Sequence, residues 1–217
     1  MIVKELFSDN ILDFLTGKTA VDDYLGLSMM TDGLKATRDH VIGFSAVDNK
    51  NEILCTILLN EGDAEATQPY HGIPSDAFHE KGVSPVDGYA KFAELIEGKY
   101  LVTHNYKFTS SFMAEFCSRN GLPPMTTPLI GSDLLYKAYR TADTFVPNIQ
   151  EDRSITDLMW ALQSLSYPRG MKASLEAIYG EQPDAQSDYV NRLPNGVGNA
   201  FRIAKIYERF LALPVFD

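Results

Sequence analysis

The stretch Tyr100-Leu-Val-Thr-His-Asn-Tyr-Lys-Phe-Thr109 constrains the fold more than any other. Tyr100, Leu101 and Val102 are strand formers. From Phe108 onward apolar residues recur at Phe112, Met113 and Phe116, the spacing of one helix face. His104 and Asn105 stand at the joint, where a strand end meets a helix N-terminus. In open α/β sheets ligands bind at such joints. Two roles are open to the pair: capping and turning the chain, or touching a ligand.

The rest of the chain supplies the frame. Tyr24 to Met30 alternates as a strand, with Leu25, Leu27 and Met29 on one side and Gly26, Ser28 and Met30 on the other. Asp32-Gly33 turns the chain, His40 to Val47 and Glu52 to Leu59 read as two further strands, and the three form an antiparallel meander. Residues 60–84, rich in Gly, Pro, Asp and Ser, read as loop. Ser84-Pro85 opens a helix with Tyr89, Phe92, Ala93 and Ile96 on its apolar face, and Gly98 closes it. Asn120-Gly121 ends the helix that follows His104, and Leu129-Ile130 begins another strand. Residues 1–20 form an N-terminal helical extension with Ile11, Leu12 and Leu15 sharing a face. Further helices are expected around Ile155–Leu162 and Leu175–Tyr179, a last one from about Asn199 to Leu211, and a short tail at 214–217. Meander first, then alternating strands and helices, gives one mixed α/β domain over residues 21–213.

A net charge of −10 argues against a broad basic surface gripping nucleic acid by charge alone, while leaving room for a narrow channel. Cys55 and Cys117 lie in apolar runs without metal-ligand spacing, as expected of buried thiols in a reducing compartment. No run approaches the roughly 20 apolar residues of a membrane span, and a cytoplasmic protein with no membrane partner is expected.

Four stretches carry a resemblance. Ser28-Met-Met-Thr-Asp-Gly-Leu34 resembles the motif Asp-x-Glu-Thr-x-Gly-Leu. His71-Gly72-Ile73 resembles a His-Gly-Ile loop. Val102-Thr-His-Asn-Tyr-Lys-Phe108 resembles Val-x-His-Asn-x-x-Phe, and Lys172–Gly180 with Asn199–Tyr207 resembles a third motif region. In this order they are similar to the DnaQ-like (DEDD) 3′–5′ exonuclease family. The resemblance implies a ribonuclease H-like mixed five-stranded sheet flanked by helices, with the strand ending at His104 near its centre. That family uses two Mg²⁺ or Mn²⁺ ions about 4 Å apart, held by four carboxylates, to clamp the scissile phosphate and activate a water.

The positions that resemblance assigns to metal and base hold other residues. Ser28 and Met30 stand in place of the first Asp and the Glu, Thr109 in place of the second-motif Asp, and Asn199 in place of the last. The general-base position falls on Asn195 in the Tyr spacing or on Pro194 in the His spacing. The expectation is a degenerate site of neutral residues, without metal or cofactor, in a protein that associates with single-stranded nucleic acid or with a replication or RNA-processing protein. His71, His104, Asn105 and Phe108 are the nucleotide-contact candidates, Phe108 because aromatic rings stack on bases irrespective of sequence. The alternative is an active metal-dependent exonuclease using Asp22, Asp23, Asp32 or Asp188.

Overall fold

The computed structural model describes residues 23–133 and 192–211, with side chains described as far as 208. The expected N-terminal helix, the helices between 155 and 180, the tail, Asp22 and Asp188 lie outside the described residues.

Three strands open the fold, β1 (Tyr24–Thr31), β2 (Val41–Asp48) and β3 (Ile53–Leu58), antiparallel as the alternation and the short turns between them require. β4 (Tyr100–Thr103) and β5 (Leu129–Gly131) add in parallel, giving a five-stranded sheet in the order β3-β2-β1-β4-β5. The middle strand is therefore β1. β4 lies one place off centre, because the parallel crossovers extend the sheet on one side only.

The expected loop at 60–84 contains two short helices, α1 (Ala64–His71) and α2 (Ser75–Lys81). Their polarity hid them, since each buries little beyond one side chain, His71 and Phe78 respectively. Asp63 caps α1 by accepting from the Ala66 N–H. α3 (Pro85–Ile96) starts as read, with Ser84 accepting from the Asp87 N–H and Pro85 in the first turn. α4 (Tyr106–Arg119) follows β4 directly. α5 (Asn195–Leu211) begins four residues before the expected Asn199, in a turn whose Asn and Gly residues have little apolar signal.

The alternation of β1 divides the core. Leu25 and Leu27 join Phe44, Phe92, Phe112 and Phe116 under α3 and α4. The Phe44 and Phe92 rings stack at 4.7 Å, with Phe116 edge-on to Phe44. On the opposite face Met30 packs with Ile42, Leu58, Ile73 and Phe78. α5 lies on that face, close against β1. A Cβ on Gly26 would stand 2.5 Å from the Ala200 carbonyl oxygen, so only glycine admits the helix at this depth. Tyr24 and Tyr207 meet edge to face at 4.5 Å at the far end of the same contact.

Candidate functional site

Where β1 ends beside α1 and the first turns of α5, a cavity of about 440 Å³ opens. Three of the four positions expected at a metal site line it, namely Ser28, Met30 and Asn199, together with His71. They converge because Ser28 and Met30 share the face of β1 that looks at α5, and Asn199 lies one turn into that helix.

Each is engaged differently. Ser28 is 7% exposed and lines the cavity from the β1 side. Met30 is 4% exposed and belongs to the apolar cluster, so its thioether serves as wall. The Asn199 amide oxygen accepts from Arg202 Nη1 at 3.1 Å. Burial holds the Arg202 guanidinium below its usual range.

Thr109 is not in the lining. It is buried, and its hydroxyl lies 2.7 Å from that of Thr103. His104, Asn105 and Phe108 are also absent from it. Asn105 caps α4, its side-chain oxygen accepting from the Phe108 N–H at 3.0 Å, and Asp133 accepts from the Tyr106 N–H at 3.2 Å. Capping is thus the role the structure gives Asn105. Phe108 packs its ring 4.6 Å from Phe112. His104 lies at the β4 end, 3.4 Å from the Ser132 hydroxyl, and burial pushes its imidazole down to about 4. Asn195 is exposed and donates to the Tyr70 carbonyl at 2.9 Å, tying the start of α5 to the end of α1.

His71 is a packed wall. Its Nδ1 accepts from the Ile73 N–H at 3.1 Å, so the proton sits on Nε2, which donates to the Ala64 carbonyl at 3.0 Å. Its ring also meets Phe78 at 5.3 Å.

Asp32 is the carboxylate of the cavity among the described residues. One oxygen accepts from the His40 N–H, and the other accepts from the Asp63 N–H at 3.0 Å and lies 3.1 Å from His40 Nδ1. Those bonds join the ends of two loops, a structural task. Asp23, another acid of the alternative reading, pairs at the surface with Lys99.

The donor set does not fit the ions that the resemblance implies. Mg²⁺ and Mn²⁺ are hard cations that need carboxylate oxygens. The lining offers a hydroxyl, a buried thioether, a carboxamide already bonded to an arginine and a carboxylate already bonded to N–H groups.

Sequence reading missed Tyr70, Thr67 and Leu34 as lining residues. Tyr70, 78% exposed, stands immediately before His71-Gly72-Ile73, and an aromatic beside that loop was the available signal. Leu34, 83% exposed, ends the first motif stretch.

No protein-family model matches the chain. A DNA polymerase III of the PolC type from Lactococcus lactis subsp. lactis (strain IL1403) is 32% identical over 118 residues, 49% of this chain. The chain spans only 7% of that polymerase. Among solved structures, the nuclease domain of 3′hExo, a DEDDh family member bound to rAMP, superposes with a TM-score of 0.57 over 91% of this chain and 95% of that one. The fold is the DnaQ-like exonuclease fold. Sequence identity in that superposition is 15%, so the likeness is one of architecture. Exonuclease I matches with a TM-score of 0.56 and 13% identity over 89% of this chain and 41% of its own length. The metal-free E. coli ExoI–ssDNA complex matches with a TM-score of 0.54, 12% identity, and coverage of 85% and 38%.

Proposed function

We propose that this exonuclease-fold protein holds single-stranded nucleic acid without cutting it, as a nucleic-acid-associated component working beside a replication or RNA-processing protein in the cytoplasm. The observation that carries this reading is the chemistry of one cavity. Three positions that should hold metal ligands carry Ser28, Met30 and Asn199, and the carboxylate beside them, Asp32, is engaged by His40 and Asp63. Loss of a two-metal clamp removes the electrostatic stabilisation on which phosphodiester cleavage depends. The exonuclease fold of the neighbours supports a nucleic-acid ligand. Among the described residues no helix is long and apolar enough to cross a membrane.

The test is incubation of 5′-labelled single-stranded DNA and RNA with purified protein in Mg²⁺ or Mn²⁺, alongside binding of the same oligonucleotides by fluorescence anisotropy. The expected result is intact label and salt-dependent binding. Metal-dependent trimming from the 3′ end that disappears in Asp32→Asn would establish the alternative, an active nuclease built on non-standard acids.

A further inference from the structure

We propose that the groove between the end of α3 and the loop at 122–128 docks a protein segment that joins apolar side chains to lysine or arginine. This rests on the protein partner named in the proposed function and gives that partner a place on the molecule, away from the cavity.

The groove holds about 770 Å³. Tyr89, Ala93 and Ile96 of α3 line one side, and Pro123, Pro124 and Met125 the other. Its walls are fixed. The Leu122 N–H donates to the Cys117 carbonyl at 2.8 Å, the Tyr89 hydroxyl to the Pro123 carbonyl at 3.0 Å, and the Leu101 N–H to the Pro128 carbonyl at 2.9 Å. The loop is thus pinned at both ends and against α3, and the rings of its prolines hold their own φ angles. A wall already fixed gives up little conformational entropy when a ligand settles on it. The apolar lining suits side chains that anchor a segment, with polar groups at the edge to select it.

Charge selects the partner. Glu94 and Glu97 line the groove, both are exposed, and neither forms an ion pair among the described residues. Lys99 is the cation of the described lining, and it is paired with Asp23. Lys91 lies one turn before Glu94 on α3, outside the lining, and pairs with neither glutamate among the described residues. Even with Lys91 and Asp23 counted, the groove and its border stay negative. Such a mouth repels phosphate and attracts an ammonium or guanidinium group.

The sheet sets the place. β1 and β4 run parallel, with Tyr24 opposite Tyr100. The groove meets the sheet at Lys99 and Tyr100, where β4 begins, whereas the cavity lies at Ser28 to Leu34, where β1 ends. Groove and cavity therefore sit at opposite ends of these strands, and a partner in the groove leaves the cavity open.

The experiment selects heptapeptides from a random phage-displayed library on the full chain, then measures the enriched peptides in solution by fluorescence anisotropy. Enriched peptides should carry lysine or arginine beside leucine, phenylalanine or methionine, and should bind more weakly as NaCl rises. Glu94→Lys combined with Glu97→Lys should weaken them on the order of tenfold. Both positions are exposed, so this variant reports on binding with the fold intact. Ala93→Arg fills the floor and should abolish binding, with circular dichroism reporting the fold. Acidic or uncharged peptides, or peptides indifferent to the two glutamates, would overturn the inference. So would an absence of enrichment, including one caused by a second copy or by residues 1–22 of the chain taking the groove. Labelled single-stranded oligonucleotide separates the two levels. It should bind equally with and without peptide, and competition between them would overturn the inference. Peptides that fail while oligonucleotide binds would remove the groove and leave the nucleic-acid reading standing. Oligonucleotide that fails while peptides bind would remove that reading and leave the groove.

Discussion

Met30 and Gly196 meet across the cavity so closely that a Cβ on Gly196 would stand 2.5 Å from the Met30 sulfur. The first turn of α5 reaches β1 because position 196 has no side chain. Overpacking of this kind costs about 1–3 kcal/mol, and the helix preference of alanine offsets up to about 1 kcal/mol of it. Gly196→Ala should therefore destabilise the protein by about 1 kcal/mol. In a Met30→Ala background the obstacle is gone, and the same change should stabilise. Urea midpoints of the two single variants and the double variant measure the coupling, and additive effects would mean the contact is slack.

Wild-type stability should not respond to EDTA or to millimolar Mn²⁺, because a ligand stabilises only a state that binds it. Ser28→Asp, Met30→Glu and Asn199→Asp together should lower stability in EDTA by several kcal/mol, since like charges gather and one enters an apolar cluster. Mn²⁺ should recover part of that loss in the triple variant. Thr109 is left unchanged because it does not line the cavity. Calorimetric titration of Mn²⁺ into both proteins is decisive. A folded triple variant that takes up no metal would mean that the cavity is not a converted metal site.

The hydroxyls of Thr103 and Thr109 satisfy each other in a buried position. Thr109→Val leaves the Thr103 hydroxyl without that partner and should cost about 1–3 kcal/mol. Replacing both with valine should recover most of the loss, as shape is kept and no orphan remains. Chemical denaturation followed by tryptophan fluorescence would show it, and a double variant as unstable as the single would contradict the pairing.

His104 makes stability depend on pH. Its folded value is lowered by burial to about 4, against an ordinary value of 6.5. Between those values the unfolded chain binds more protons than the folded one, so stability falls as pH falls from 6.5 toward 4, by up to about 3 kcal/mol. Above pH 6.5 this residue contributes no slope. His104→Gln should flatten the profile between pH 6.5 and 5, above the range where carboxylates dominate. An unchanged slope there would place the titration elsewhere.

The elements that were legible in the sequence are those whose signals are local. The alternation of β1 through β3, the Ser84-Pro85 start of α3, the Asn105 cap and the Gly98 and Gly121 stops each act over a few residues. The helices α1 and α2 escaped because few of their side chains face the core, so period carries little information there. The first turn of α5 is buried, but two of its buried positions are glycines, Gly196 and Gly198, which give no apolar signal.

Local pattern also determined that Ser28 and Met30 share a strand face, and the resemblance to the exonuclease motifs singled out the neutral residues at the aligned positions. Tertiary structure decided which of them meet. Thr109 shares its motif resemblance with Ser28, yet it turns to Thr103, because the helix it heads packs under the opposite face of the sheet. Asp32 reads as a turn residue, and the fold makes it the anchor of a loop 31 residues away through the Asp63 N–H. Tyr70 and Leu34 become two sides of one rim only when α1 lies across the end of β1. Such convergences depend on hydrogen bonds and packing between distant segments. A periodicity spanning a few residues contains no information about them, and it is the sheet order, with β1 at its centre and α5 seated on Gly26, that brings those segments together.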